Sequence, residues 1–242
     1  MPKTISRNAA TFRWAFWARR THKWIAWAVG LQALLWMASG LYMTAISIDT
    51  IHGDHLVQAP DTSPLSTSAT RLTSDALVAR YPGMRSFRLK RCMGREVYEL
   101  RDQSGITLVD AQSGAQLSPL KRAVARQMAV ALYRGNARVE SVEWLVKAPQ
   151  EVSTRPAPLW KVSFADRRET ALYISPYSGE LLAKRHDLWR GFDLLWMLHI
   201  MDYETRSNIS NRLLQIASLI GLAFSLTGAW LLLYSFRRRV RA

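Results

Sequence analysis

The sequence predicts a membrane protein in which two transmembrane helices flank an extracytoplasmic α+β domain. Two observations predict this fold class. The first is a pair of stretches without any charged residue, residues 24–48 and 213–236, which are 25 and 24 residues long. At about 1.5 Å per helical residue, either stretch exceeds the roughly 30 Å hydrocarbon core of a bilayer. The second is a polar middle, residues 49–211, in which helical and strand-like patterns alternate.

The distribution of charge predicts the orientation of the chain. Residues 1–23 hold six Lys or Arg and residues 212–242 hold five, and neither tail has an acidic residue. The middle holds the other 22 bases and all 18 acids, so it contributes +4 of the net +15. Because positive charge collects on cytoplasmic flanks, both termini are expected in the cytoplasm and the middle outside it. The basic balance is therefore a signal of topology, and no nucleic-acid partner is indicated.

The first uncharged stretch has an alternative interpretation as a secretory signal. Ala38-Ser39-Gly40 would be its cleavage site, and basic residues precede it. However, the uncharged stretch continues past this site to Ile48, and a basic leader of 23 residues is long for a signal. An uncleaved membrane anchor is the preferred interpretation.

The predicted organisation follows from these boundaries. It comprises a basic tail at 1–23, a first transmembrane helix at 24–48, a linker at 49–70, two repeats at 71–118 and 119–185, an amphipathic membrane-proximal segment at 186–211, a second transmembrane helix at 212–236 and a basic tail at 237–242.

Each repeat is predicted to contain one helix followed by about three antiparallel strands. Helical spacing covers Thr73–Arg80 in the first copy and 119–133 in the second, and strands are expected at 86–92 and 138–146. The hairpins that follow correspond at an offset of 65 residues, which places Gly114 opposite Gly179. The second copy carries an additional polar loop at 147–158.

The two copies read "VYEL…LVDAQSGAQL" and "PLWKVSF…LYISPYSGELL", and this pattern resembles tandem PepSY domains. The flanking stretches "RRTHKWIAWAVGLQALLWMASGLYM" and "WRGFDLLWMLHIMDY…LLQIASLIGLAFSLTGAWLLL" resemble PepSY-associated transmembrane helices. The resemblance implies a bacterial inner-membrane protein with a periplasmic middle. It also implies one of two activities: haem-based electron transfer across the membrane, as in larger PepSY reductases linked to iron reduction, or regulation of extracytoplasmic peptidases.

Four histidines are candidate ligands of a b-type haem. His199 lies in an apolar stretch on the predicted outer side, as do His52 and His55 after the first span, whereas His22 lies at the cytoplasmic edge. Two imidazoles from facing helices are a common way of holding haem iron. If residues 192–203 are helical, Asp202 would accept the second ring N–H of His199.

Simpler interpretations of the same histidines stay open. His199 could be an interfacial residue with a hydrated end, and His52 and His55 could form a polar turn that leaves the bilayer. His22 could only add to the cytoplasmic charge, and His186, in "KRHDLWR", is expected on the solvated surface.

Association between copies is also suggested by the second span. Ala217, Gly221, Ser225 and Ala229 form a stripe of small residues, which packs either on the chain's own first span or on a second copy. The second span has no histidine, so one copy cannot hold a cytoplasmic haem between two histidines. A homodimer or a partner redox subunit would be needed for such a site.

The sequence leaves two main hypotheses of function, and a third possibility is an accessory subunit with no cofactor of its own. The first is a haem-binding or electron-transfer membrane subunit, in which His199 with His52 or His55 holds the iron. The second is a non-catalytic, membrane-anchored module that binds an extracytoplasmic partner such as a peptidase by strand addition. The single cysteine, Cys92, and the absence of C-x-x-C-H, H-E-x-x-H, P-loop and G-x-S-x-G motifs support no other chemistry. A subunit or accessory of a redox system is favoured over a complete enzyme.

Overall fold

The computed structural model describes residues 7–59, 63–65 and 70–239, with side chains described for Arg20 and for residues 23–59, 63–65 and 70–229. The chain divides into two units. The helical unit comprises the chain up to Ala45 and from Asp193 onward, and the sheet unit comprises Ile46–Phe192.

Two helices of the helical unit are long and apolar enough to cross a membrane. They are α1 (Arg7–Ala45) and α6 (Arg212–Arg239), within which the stretches Lys23–Ala45 and Arg212–Ala229 have the length and hydropathy of a span. Exposed apolar surface of this extent is rare on soluble monomers and marks contact with a membrane or a partner. The side chains that are at least 60% exposed include Trp27, Leu31, Met37, Leu41, Leu219 and Leu226.

The small-residue stripe of α6 lies in part against α1. Ala217 and Gly221 are half-buried, and a Cβ atom placed on Gly221 would lie 3.9 Å from the ring of Trp36 in α1. Ser225 and Ala229, at the other end of the stripe, are exposed. The first half of the stripe therefore packs on the chain's own first helix, which is one of the two predicted interpretations.

The first uncharged stretch does not stay helical to its end. Helix α1 stops at Ala45, and α2 (Ile48–His52) begins after Ser47, whose hydroxyl accepts the N–H of Thr50 at 3.3 Å. A serine in this position satisfies an otherwise unpaired N–H group and so starts a new helix. The boundary predicted at residue 48 is therefore three residues too late for α1.

The predicted linker at 49–70 is folded in its first half. A 3-10 turn, Asp54–Leu56, follows α2, Ile51 is fully buried, and Val57 forms a β-bridge with Tyr133. These contacts make residues 48–57 part of the sheet unit. Residues 60–62 and 66–69 of the predicted linker lie outside the described residues.

The first half of the sheet unit has the predicted helix and three strands. Helix α3 (Ser74–Arg80) begins at Thr73, whose side chain accepts the N–H of Ala76. The antiparallel sheet has the order β1-β2-β3, and β1 and β2 pair from Ser86 with Arg101 to Cys92 with Arg95. The strands are β1 (Ser86–Cys92), β2 (Arg95–Arg101) and β3 (Ile106–Asp110).

The second half has one more strand than was predicted. Its elements are α4 (Arg122–Leu132), β4 (Val139–Leu145), β5 (Leu159–Phe164), β6 (Ala171–Ile174) and β7 (Leu181–Arg185), and the sheet order is β4-β5-β6-β7. In the first half, the stretch that corresponds to β7 forms only a single bridge, from Gln116 to Val109. Pro119 has no N–H to donate to a ladder, which explains why that strand does not extend.

The two sheets share one hydrophobic core. Residues of the first sheet, of α4 and of the second sheet belong to a single buried cluster. The first half also has a smaller cluster of its own, which includes Leu77, Tyr98 and Leu100. The polar loop at 147–158 covers the other face of the second sheet through Val152, which is buried against Leu159 and Tyr173. The shared cluster includes Val97, Leu108, Met128, Ala129, Val162 and Leu172.

A buried carboxylate adds a polar connection between the two sheets. Glu99 of β2 is fully buried, and its oxygens accept hydrogen bonds from Lys90 at 2.6 Å and from Arg88 and Arg101 at 2.9 Å. Lys90 also donates to the carbonyl of Ser178, in the turn before β7. Burial acts to raise the pKa of Glu99, but the three cationic donors outweigh it and lower the pKa to about 2.

Replacement of Glu99 by Gln is expected to destabilise the sheet unit by about 3 kcal/mol, because Lys90 loses its buried partner. Thermal unfolding in mild detergent measures the effect, and Glu140→Gln, at an exposed position of β4, is the matched control. In the wild type, the contribution of Glu99 is complete above the ordinary glutamate pKa of 4.5 and is lost as the pH falls toward about 2. Equal melting temperatures for the two variants would contradict this role.

Candidate functional site

The candidate site of the helical unit is centred on His199. This residue lies near the end of α5 (Asp187–Ile200), and its Nδ1 is 2.7 Å from the hydroxyl oxygen of Ser39 in α1. The indole N–H of Trp36 donates to the carbonyl of His199 at 2.9 Å. The last carbonyls of a helix lack partners within it, so Trp36 satisfies one of them and fixes the end of α5 against α1.

The bonds of Ser39 determine which nitrogen of His199 carries the proton. The Ser39 hydroxyl lies 2.7 Å from the carbonyl of Leu35 and 3.1 Å from that of Trp36, so its single proton points to its own helix. The oxygen of Ser39 must then accept the N–H of His199 Nδ1. We therefore assign the Nδ1–H tautomer to His199, which leaves a lone pair on Nε2.

The end of α5 also corrects the predicted role of Asp202. Helix α5 ends at Ile200, and Met201 has the left-handed backbone conformation, with φ of 54°. Asp202 turns away into the loop that follows, where its carboxylate accepts the N–H groups of Thr205, Ser207 and Asn208 at 2.9–3.1 Å. The expectation that Asp202 fixes the ring of His199 is wrong, and Ser39 has that role.

The loop between α5 and α6 is held by further polar contacts. Asn211 donates from its side-chain amide to the carbonyl of Ile200 at 2.7 Å, and its Oδ1 accepts the N–H of Leu214 at the start of α6. Arg206 forms an ion pair with Asp193. This loop therefore fixes the spacing between the end of α5, which carries His199, and the start of α6.

The histidines that follow the first span lie in the sheet unit. His52 is exposed and makes no hydrogen bond to the described residues, whereas Nε2 of His55 is 3.4 Å from a guanidinium nitrogen of Arg168, which donates to it. The rings of His55 and His186 are in edge contact, with centroids 6.2 Å apart. His199 belongs to the other unit, so neither unit by itself contains the predicted pair of haem ligands.

His186 is the histidine that was placed wrongly from the sequence. It is fully buried, its Nε2–H donates to the carbonyl of Ile51 at 3.1 Å, and Nδ1 has no partner among the described residues. Burial lowers the pKa of His186, so the ring stays neutral near pH 7. The charged neighbours in "KRHDLWR" suggested solvent, but the ring lies under the turn at Gly53, where a Cβ atom would lie 3.1 Å from it.

His22 is the remaining candidate haem ligand among the histidines. The backbone of His22 belongs to α1, and its side chain lies outside the described residues. Among the described residues, no three His, Cys, Asp or Glu side chains form a group that could hold a metal ion. His199 is the only histidine of the helical unit whose side chain is described, and its Nε2 carries a lone pair.

Ser39 is the functional candidate that sequence reasoning missed. It appeared only as part of a possible cleavage site, but it is a buried polar residue within the uncharged stretch of α1. Polar side chains in such helices usually face a partner, and Gln32, seven residues earlier, lies on the same face. This spacing would have indicated a polar stripe on α1.

Comparisons of the chain with protein-family models, with curated proteins and with solved structures find no match. The resemblance to PepSY proteins therefore stays a prediction. The fold and the site define a class of protein in physical terms: an α+β unit of two antiparallel sheets, together with two helices long enough to cross a membrane and one oriented imidazole.

Replacement of Asp202 by Ala is expected to speed amide hydrogen exchange at Thr205, Ser207 and Asn208 by at least tenfold, because these N–H groups lose their common acceptor. Hydrogen bonds from Thr205 and Asn208 lower the pKa of Asp202. In the wild type, the protection should therefore persist above the ordinary aspartate pKa of about 3.9 and fall only in stronger acid. Unchanged exchange in the variant would show that the loop has other support.

Proposed function

We propose that this protein is an integral membrane subunit that binds b-type haem through His199 and passes electrons to the extracytoplasmic side. The observation that carries the proposal is the hydrogen bond between Nδ1 of His199 and Ser39. Histidines that bind a metal through one ring nitrogen usually donate the other N–H to a fixed acceptor. Ser39 provides that acceptor, and it leaves Nε2 as the free donor atom.

The membrane location is supported by surface and charge together. The apolar stretches Lys23–Ala45 of α1 and Arg212–Ala229 of α6 expose large hydrophobic side chains, and residues 1–23 and 237–242 hold Lys and Arg without acidic residues. A bilayer would cover the apolar faces, and the positive flanks favour a cytoplasmic position for both termini. The sheet unit would then lie outside the cytoplasm.

The proposal includes a repeated PepSY-like unit, and the turns of the two halves support it. Gly114 and Gly179 correspond at the offset of 65 and have φ of 68° and 67°. Each donates its N–H at 2.9 Å to a carbonyl four residues earlier, that of Asp110 or Ser175. The strands β2 and β3 before the first turn correspond to β5 and β6 before the second.

The chain's own residues would prepare the iron ligand before anything binds to it. Ser39 holds the imidazole in one tautomer, and Trp36 holds the backbone of His199 in place. Bound haem would supply one-electron chemistry at its iron. The helical unit has no second histidine among its described side chains, so the other axial ligand would be a different kind of side chain, such as a methionine, or would come from outside this unit.

Absorption spectroscopy tests the proposal. Protein purified in mild detergent from haem-replete cells is expected to show a Soret band, and a sharp α band after dithionite reduction. His199→Ala should remove both bands, and Ser39→Ala should weaken haem binding by at least tenfold, the usual effect of losing the partner of a ligating histidine. A colourless wild type, or a His199→Ala variant with an unchanged spectrum, would contradict the proposal.

Ser225→Ala is the matched control for Ser39→Ala. The hydroxyl of Ser225 donates to the carbonyl of Gly221 at 2.9 Å, which is the same bond to the preceding turn that Ser39 makes, but without an imidazole partner. The spectrum of this variant should equal that of the wild type. Variants His52→Ala and His55→Ala then test whether either histidine is the second ligand, and retention of the bands in both would exclude these two.

A second candidate function is a binding module that recruits an extracytoplasmic partner. It is favoured by the strand orders, which leave β1 and β4 at the edges of their sheets with a neighbour on one side only. Edge strands of this kind accept an added strand. A fragment of residues 46–192, which retains the contacts of Ile51 and Val57, would bind that partner without either long helix if this function holds.

A further inference from the structure

One segment of the sheet unit carries positive charge without acidic partners. Residues 111–139 hold five Lys or Arg and no acidic residue. We call residues 121–138, which begin at the start of α4 and continue past its end, the basic segment. All five cationic side chains are exposed, and none of them forms an ion pair among the described residues: Lys121, Arg122, Arg126, Arg134 and Arg138.

The other part of the sheet unit contrasts with this segment. Arg71 pairs with Glu96, Lys184 with Asp54 and Arg190 with Glu151. Residues 76–95 also hold six Lys or Arg and no acidic residue, but Arg88 and Lys90 among them pair with Glu99. The basic segment therefore presents a local excess of positive charge. The net charge of only +4 for residues 49–211 does not reveal this excess.

The positions of these charges are unfavourable for the helix itself. Lys121 is the N-cap of α4 and Arg122 its first residue, with no side-chain cap and no acidic residue in the first turn. Positive charge at the N-terminus of a helix opposes the helix dipole. Arg122 and Arg126 are one turn apart, where like charges repel. Residues that weaken a helix locally, as these basic residues do, are expected where the surface has a role other than stability.

We propose that the basic segment of α4 docks on an anionic lipid surface. Four of its five cations are arginines, whose planar guanidinium groups bind phosphate through paired hydrogen bonds. Between them, the exposed residues Ala123, Gln127 and Val130 are small or uncharged, and the exposed face of α4 has no aromatic residue. Protein interfaces usually depend on aromatic or buried anchors, so a charged helix face without them fits lipid headgroups better.

Vesicle flotation tests this inference. The full chain is placed in nanodiscs of neutral phosphatidylcholine and mixed with vesicles of phosphatidylcholine, with or without phosphatidylglycerol. The wild type is expected to float with the phosphatidylglycerol vesicles alone, and added salt should release it. Arg122→Glu/Arg126→Glu should reduce binding at least tenfold. Position 122 lies in the first turn, where an acidic residue suits the helix dipole, so the melting temperature of the variant should not fall.

The control is Lys147→Glu/Arg155→Glu, which makes the same change in net charge at two exposed positions of the loop over the second sheet. It should bind as the wild type does. An equal loss in both double variants would show that only net charge matters and would overturn the inference. Binding of soluble polyglutamate without binding of vesicles would assign the segment to an acidic protein instead. None of these outcomes depends on haem.

Discussion

The hydrogen bond between Nδ1 of His199 and the hydroxyl of Ser39 joins two helices that are 160 residues apart in sequence. Because Ser39 gives its own proton to the carbonyl of Leu35, the bond has one direction, and the imidazole has one tautomer. In a bilayer, water would not be present to replace such a bond. The orientation of α5 and the free Nε2 both follow from it.

The sheet unit has a different organisation, because separation of its two halves would expose buried apolar side chains that they share. Val97 and Leu108 of the first sheet share a core with α4 and the second sheet, and Lys90 links Glu99 to the turn at Ser178. The resulting unit holds the turn at Gly53 and the buried His186 in place. The cations of its basic segment are exposed, and β1 and β4 lie at the edges of its sheets.

The sequence predicted those features that depend on local patterns. Uncharged stretches predicted α1 and α6, and alternation predicted most strands, because burial of a helix or sheet face leaves a period in the sequence. The features that were missed depend on long-range contacts. His186 is buried by the turn at Gly53, which is far from it in the chain, and the role expected of Asp202 belongs to Ser39 because α5 ends at Ile200. A repeating pattern of apolar residues does not indicate contacts between residues that are far apart in the sequence.

The most direct test of the account is nitrogen-15 NMR of the imidazole of His199 in haem-free protein. The account predicts that Nδ1 carries the proton and that Nε2 has the chemical shift of an unprotonated nitrogen. In Ser39→Ala, this preference should be lost and the two tautomers should exchange. A proton on Nε2 in the wild type, or the same spectrum in the variant, would contradict the account.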